Sequence, residues 1–133
     1  MDKFNLAERF VVLTPDKVAD TVLNTPAVFE ELDRAYGDFQ GHELIAQFEF
    51  REDWPSWEIH PNGDEIVVLL SGSATFVLKQ PGGKRDIALT RPGDSVIVPR
   101  GVWHTARIDT PTRMLFITPG EGTINEYDKT RFD

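Results

Sequence analysis

The sequence predicts an all-β fold, a six-to-eight-stranded antiparallel barrel or jelly roll preceded by an N-terminal arm with short helices. Three observations predict it. From residue 42 onward the apolar residues recur with a period of two. Short β-branched runs then follow one another at roughly ten-residue spacing. Turns rich in glycine and proline separate them.

The arm comes first. Phe10–Leu13 is a short apolar run. Thr14-Pro15 and Thr25-Pro26 both read as helix openings, because a proline at the first helical position lacks only a donor that would be unpaired anyway. Phe29, Leu32 and Tyr36 recur at helical spacing, and Gly37 suits a C-terminal cap. The arm therefore predicts helices over 15–22 and 26–36. In the remainder, Leu44, Ala46, Phe48 and Phe50 alternate with polar residues and predict a half-buried strand. Further strands are predicted over Glu65–Leu70, Ala74–Lys79, Arg85–Thr90, Ser95–Pro99, Trp103–Ile108 and Arg113–Thr118. Asn62-Gly63 is the strongest hairpin signal between them. The division is an arm over 1–41, a barrel over 42–120 and a tail over 121–133, together one structural domain; 133 residues suffice for one sizeable core.

Composition narrows the classes of function. The net charge is −8, and no Lys/Arg cluster supplies the basic face that a nucleic-acid binder needs. No apolar run approaches the roughly 20 residues of a membrane span. Residues 1–10 show no basic segment followed by an apolar one, so no secretion signal is predicted. Cysteine is absent, which excludes disulfides and thiolate metal sites. A cytoplasmic location is the expectation.

Chemistry concentrates around two of the three histidines. Glu58 and His60 are two apart on a strand and share a face, with Cα atoms about 6.5–7 Å apart. A hairpin at Asn62-Gly63 would return Glu65 beside His60, so three ligating side chains converge from one short segment. Further on, Gly93 to Gly101 forms a turn, a strand and a second turn that deliver His104 at the start of a strand. Carboxylate and imidazole are the donors that divalent transition metals accept. Glu is also rarely buried unless paired or bound to metal.

These segments resemble the cupin superfamily. Its first motif reads G-x5-H-x-H-x(3,4)-E-x6-G; here His60, four residues, Glu65, six residues and Gly72 follow in order. Its second motif reads G-x5-P-x-G-x2-H-x3-N; here Gly93, Pro99, Gly101 and His104 hold the spacing. Glu58 stands where the first motif has its first histidine, Ile108 where the second has its asparagine, and Arg51 near the opening glycine. The resemblance covers about residues 44–118. It implies a cupin-type barrel whose metal ligands are Glu58, His60, Glu65 and His104, holding one divalent ion. Two carboxylates and two imidazoles make an O2N2 set suited to Mn, Fe, Ni, Co or Zn, with no soft donor for copper(I). The site then sums to zero charge.

The reaction implied is of dioxygenase, isomerase or lyase type on an oxygen-bearing small molecule, with Glu58 also a candidate general base. Two alternatives stand beside it. One is a noncatalytic module binding a sugar or other small molecule; the other is a metal-free acid/base isomerase using His60 and Glu65. The resemblance further implies a homodimer; separately, a strand near Phe10–Leu13 could add to a partner's sheet and cover an exposed edge. Other polar and aromatic residues read as structural: His42 lacks a motif, Trp57 and Trp103 face away from the ligands, and Arg107 is out of phase with His104. Trp54 shares parity with Glu58, with Pro55 able to shift the register.

Overall fold

The computed structural model describes residues 2–133. Its elements are β1 (Arg9–Leu13), β2 (Ala19–Leu23), α1 (Val28–Ala35), a 3-10 turn (Gly37–Phe39), β3 (Glu43–Phe50), β4 (Ser56–Ile59), β5 (Glu65–Gln80), β6 (Gly83–Leu89), β7 (Ser95–Val98), β8 (His104–Thr118) and β9 (Ile124–Tyr127). All strand pairings are antiparallel.

Two long strands organise the fold. β8 pairs with β5 along nearly its whole length, from Leu78 opposite His104 to Ile66 opposite Ile117. The first part of β5 and the last part of β8 belong to a run β2-β1-β3-β8-β5-β7. The last part of β5 and the start of β8 belong to a run β9-β4-β8-β5-β6. The register shifts where one run passes into the other, between Leu69 and Ala74. The sequence predicts turns at Ser71-Gly72-Ser73 and Asp109-Thr110-Pro111; both are instead irregularities within continuous strands, since each strand finds the other as partner on both sides of the break. Thr112, fully buried, clamps the bend: its hydroxyl accepts from the Ser73 amide and donates to the Thr110 carbonyl at 2.6 Å, with the Ser73 carbonyl 3.0 Å away as the other acceptor within reach. Gly72 has φ +85°, and a Cβ there would lie 2.3 Å from the Pro111 carbonyl oxygen. Only glycine fits that crossing.

The inward residues of the long strands, among them Val67, Leu69, Phe76, Leu78, Met114 and Phe116, form the main core with Leu89, Val96 and Ala106. The arm builds a second one. Val28 and Leu32, a turn apart on α1, bury against Phe10, Val12, Phe39, Leu44 and Ala46. The predicted helix over 26–36 forms over Val28–Ala35. The one over 15–22 does not. Lys17 takes a positive φ of 69° and Thr14 closes a turn with Lys17 and Val18, so Pro15 occupies a hairpin corner rather than a helix start. Ala19–Leu23 then pairs with β1 in full register. β1 itself lies between β2 and β3 of its own chain, with both edges taken, so it does not add to a partner's sheet.

The Asn62-Gly63 segment is also not a hairpin. β4 pairs with β8 and β9, and β5 pairs with β6, β7 and β8. The turn carries the chain from one run of strands to the other. Residues 124–127 form β9 on the free side of β4. Asp128 beyond it accepts from the Trp57 indole at 3.0 Å, and Arg131 donates to the Trp54 carbonyl, so the C-terminal segment holds β4 in place.

Candidate metal centre

β4 brings Glu58 and His60 to the interior on one face, and β8 sets His104 directly opposite Glu58 in register. Glu65 opens β5. One ligating atom from each of Glu58, His60, Glu65 and His104 lies within 4.8 Å of the others, an arrangement that could hold a metal ion. His60, Glu65 and His104 are buried, while a quarter of the Glu58 side chain is exposed.

The contacts are short: His60 Nε2 is 2.9 Å from Glu58 Oε1 and 3.1 Å from Glu65 Oε2, and His104 Nε2 is 3.3 Å from Glu65 Oε1. Yet His60 Nε2, His104 Nε2 and Glu65 Oε1 are buried without a directed hydrogen bond. Orphaned buried polar atoms are costly. Buried polar atoms crowded together without directed hydrogen bonds are what a shared cation would satisfy, so the residues present fit a metal.

Three of the four side chains are also fixed from outside the cluster. His104 Nδ1 donates to the Val102 carbonyl at 3.0 Å, which points Nε2 inward, with a lone pair there whenever the ring is neutral. His60 Nδ1 meets the Thr123 hydroxyl at 2.8 Å, and the Thr118 hydroxyl donates to Glu65 Oε2 at 2.6 Å. Partners of this kind hold ligand orientation. Thr118 shares strand parity with Met114 and Phe116, so its inward position was readable; Thr123 sits in an aperiodic loop that gave no signal.

Burial disfavours charge on all four groups, but their mutual contacts outweigh it in the metal-free protein. Contacts with His104 and His60 hold Glu58 down at about 2, and the same two imidazoles lower Glu65. In return Glu58 and Glu65 push His60 and His104 up to about 9.

A cavity of about 1210 Å³ opens from Glu58, His60 and Glu65 to the surface. Trp54 lies in its wall and reaches the site, its ring centroid 6.2 Å from that of His104. The remaining residues singled out in the sequence lie elsewhere. Trp57 is buried under Lys79, which sits 4.4 Å over its ring. Arg107 pairs with Asp86 at 2.6 Å. His42 packs against Tyr36 and Phe39.

No curated protein matches the chain. Among solved structures, one similar chain is a cupin-2 domain containing protein from Shewanella frigidimarina NCIMB 400, with 18% identity, 58% of this chain and 70% of that one covered, and a TM-score of 0.50. Another is an oxalate oxidase, with 19% identity, 62% and 45% covered, and a TM-score of 0.53. At these identities the likeness is one of fold, and the chain spans under half the length of the oxalate oxidase. The sequence model of the cupin domain matches residues 46–118, more than half of the chain, with both histidine segments inside it. The chain therefore belongs to the cupin domain family.

Proposed function

We propose that this cupin is a metal-dependent enzyme acting on an oxygen-bearing small molecule, with one divalent ion held by Glu58, His60, Glu65 and His104. The observation that carries the reading is the set of buried ligand atoms converging without hydrogen bonds of their own. A bound divalent ion would supply Lewis-acid activation of a substrate oxygen. Glu65, His60 and His104 close the buried side. Of the three members that line the open cavity, Glu58 is the most exposed. We assign it a second role as the group that takes or returns a substrate proton.

Elemental mass spectrometry on protein purified without chelator or histidine tag tests the site. About one divalent ion per chain is expected, and its loss in His60→Ala/His104→Ala. Protein that holds no stoichiometric ion even after reconstitution would instead point to the metal-free isomerase. Glu58→Gln separates the two roles of that residue: ion retained with turnover lost supports the proton-transfer role, whereas loss of both makes it a ligand alone.

We also infer a homodimer. Val11, Ile45, Ile117, Ile66 and Ile97 are register partners across β1, β3, β8, β5 and β7, and they face outward from the main core. Ile66 is 37% exposed and Ile97 61%. A continuous aliphatic row on a sheet face suits face-to-face packing of two sheets about 10 Å apart. Light scattering should give twice the 15.1 kDa chain mass, falling to the single mass in Ile66→Glu/Ile97→Glu. A wild-type monomer would refute the inference.

A further inference from the structure

The wall and rim of the cavity restrict what enters it, and this inference rests on the metal-enzyme reading of the same site. The wall is aromatic. Phe48, Phe50, Trp54 and Phe116 come from the barrel, with ring centroids 5.5–6.2 Å apart in edge-on and tilted pairs. The arm adds Phe29 and Phe39. Phe29 stacks on Phe48 at 6.3 Å although it is 56% exposed. An exposed phenylalanine held against the mouth of a cavity offers its face to whatever enters.

The rim is acidic. Asp33, Asp38, Glu49, Glu52 and Asp53 line it, against Arg51 as the one lysine or arginine. Arg51 is tied to Glu49 at 2.9 Å. Asp53 accepts from the Ile108 amide. Among the described residues, Asp33, Asp38 and Glu52 carry no ion pair. A substrate carboxylate or phosphate would thus meet no free cation on the wall and several free carboxylates, in a cleft that concentrates their field. An ammonium group would meet the reverse, with aromatic faces beside it. The site beneath adds no net positive charge, since its two carboxylates balance a divalent ion.

We infer that the substrate is an aromatic molecule bearing a hydroxyl or carbonyl oxygen, uncharged or cationic, and lacking any carboxylate or phosphate. The arm supplies part of this selectivity, because Phe29, Asp33 and Asp38 all lie outside the stretch matched to the family.

Three phenols that differ only in the end of one side chain test it: tyramine, 4-ethylphenol and 3-(4-hydroxyphenyl)propionate, with 4-ethylcyclohexanol as the non-aromatic control. Titration calorimetry on protein reconstituted with Mn or Zn, at low salt, should show tyramine and 4-ethylphenol binding. The propionate should bind about tenfold or more weakly, and the cyclohexanol weakly or not at all. Phe29→Ala should weaken the phenols severalfold with metal content unchanged. Asp33→Asn/Asp38→Asn/Glu52→Gln should bring tyramine and the propionate together.

Equal affinity for tyramine and the propionate in the wild type overturns the charge argument, and equal affinity for the phenol and the cyclohexanol overturns the aromatic one. One ion per chain with no phenol bound sinks the inference and leaves the metal reading standing. Phenols bound in the expected order by protein that takes no ion would do the opposite.

Discussion

Each of the four clustered side chains can be held by a proton or, if one binds, by an ion. Without the ion, His60 and His104 are protonated at neutral pH because Glu58 and Glu65 face them at bonding distance. Two imidazoliums and two carboxylates sum to zero, as do two carboxylates, two neutral imidazoles and a divalent cation. Exchange of protons for metal therefore leaves the buried charge unchanged, and close to two protons should leave per ion bound at pH 7. Calorimetry in buffers of different ionisation enthalpy measures that number; a value near zero would mean the imidazoles are neutral beforehand. Stability follows the same groups. The imidazoles, raised from 6.5 to about 9, stabilise the metal-free fold fully below pH 6.5 and lose that effect as pH rises through 9. Glu58, lowered from 4.5 to about 2, does so fully above pH 4.5 and loses it as pH falls toward 2. The contribution of this cluster to the metal-free protein is thus greatest between pH 4.5 and 6.5. Saturating metal should move the optimum upward, because the ion needs neutral imidazoles. Melting curves across pH, with chelator and with metal, check both directions.

At the scale of elements, spacing picked out the four residues that cluster, and pairing did not follow from it. The period-two pattern set Glu58 and His60 on one face, which the backbone obeys. It could not say which strand lies beside β4, because alternation is a property of one strand and pairing of two. That is why the Asn62-Gly63 turn read as a hairpin while β4 in fact sits between β8 and β9. The helix expected over 15–22 failed for a related reason: Thr-Pro opens helices and hairpin corners alike, and the β-branched Thr21-Val22 that follows found β1 as a partner. The bend at Gly72 gives a sharp test. In Gly72→Ala the new methyl would meet the Pro111 carbonyl and Thr112, and a positive φ adds strain. A loss of about 2 kcal/mol or more in urea unfolding is expected. A neutral result would mean that β5 and β8 can part at the bend.

Across the whole molecule, the barrel was legible because its core residues alternate along β3, β7, the start of β5 and the end of β8. The arm was only partly so, since α1 takes its burial from β1 and β3 rather than displaying a long period of its own. Leu32 ties α1 to that second core, and Leu32→Ala should cost about 2–5 kcal/mol. All four candidate ligands lie outside the arm, so the variant should keep its metal. Denaturation and elemental analysis on one sample decide this: loss of metal alongside stability would make the arm a support of the site as well as a wall of the cavity. The run of β8 has one more consequence. Its first residue, His104, faces the site directly, and its last, Thr118, steadies Glu65 there. Glu58, His60 and Glu65 are neighbours in the chain, whereas His104 arrives only after β5, β6 and β7 have been laid down. The local segment can therefore bring together at most three of the four candidate donors, and the fourth requires the long-range pairing of β8 with β4. If an ion binds there, its capture at full affinity would require that long-range pairing, so metal affinity would report on whether β8 has docked on β4.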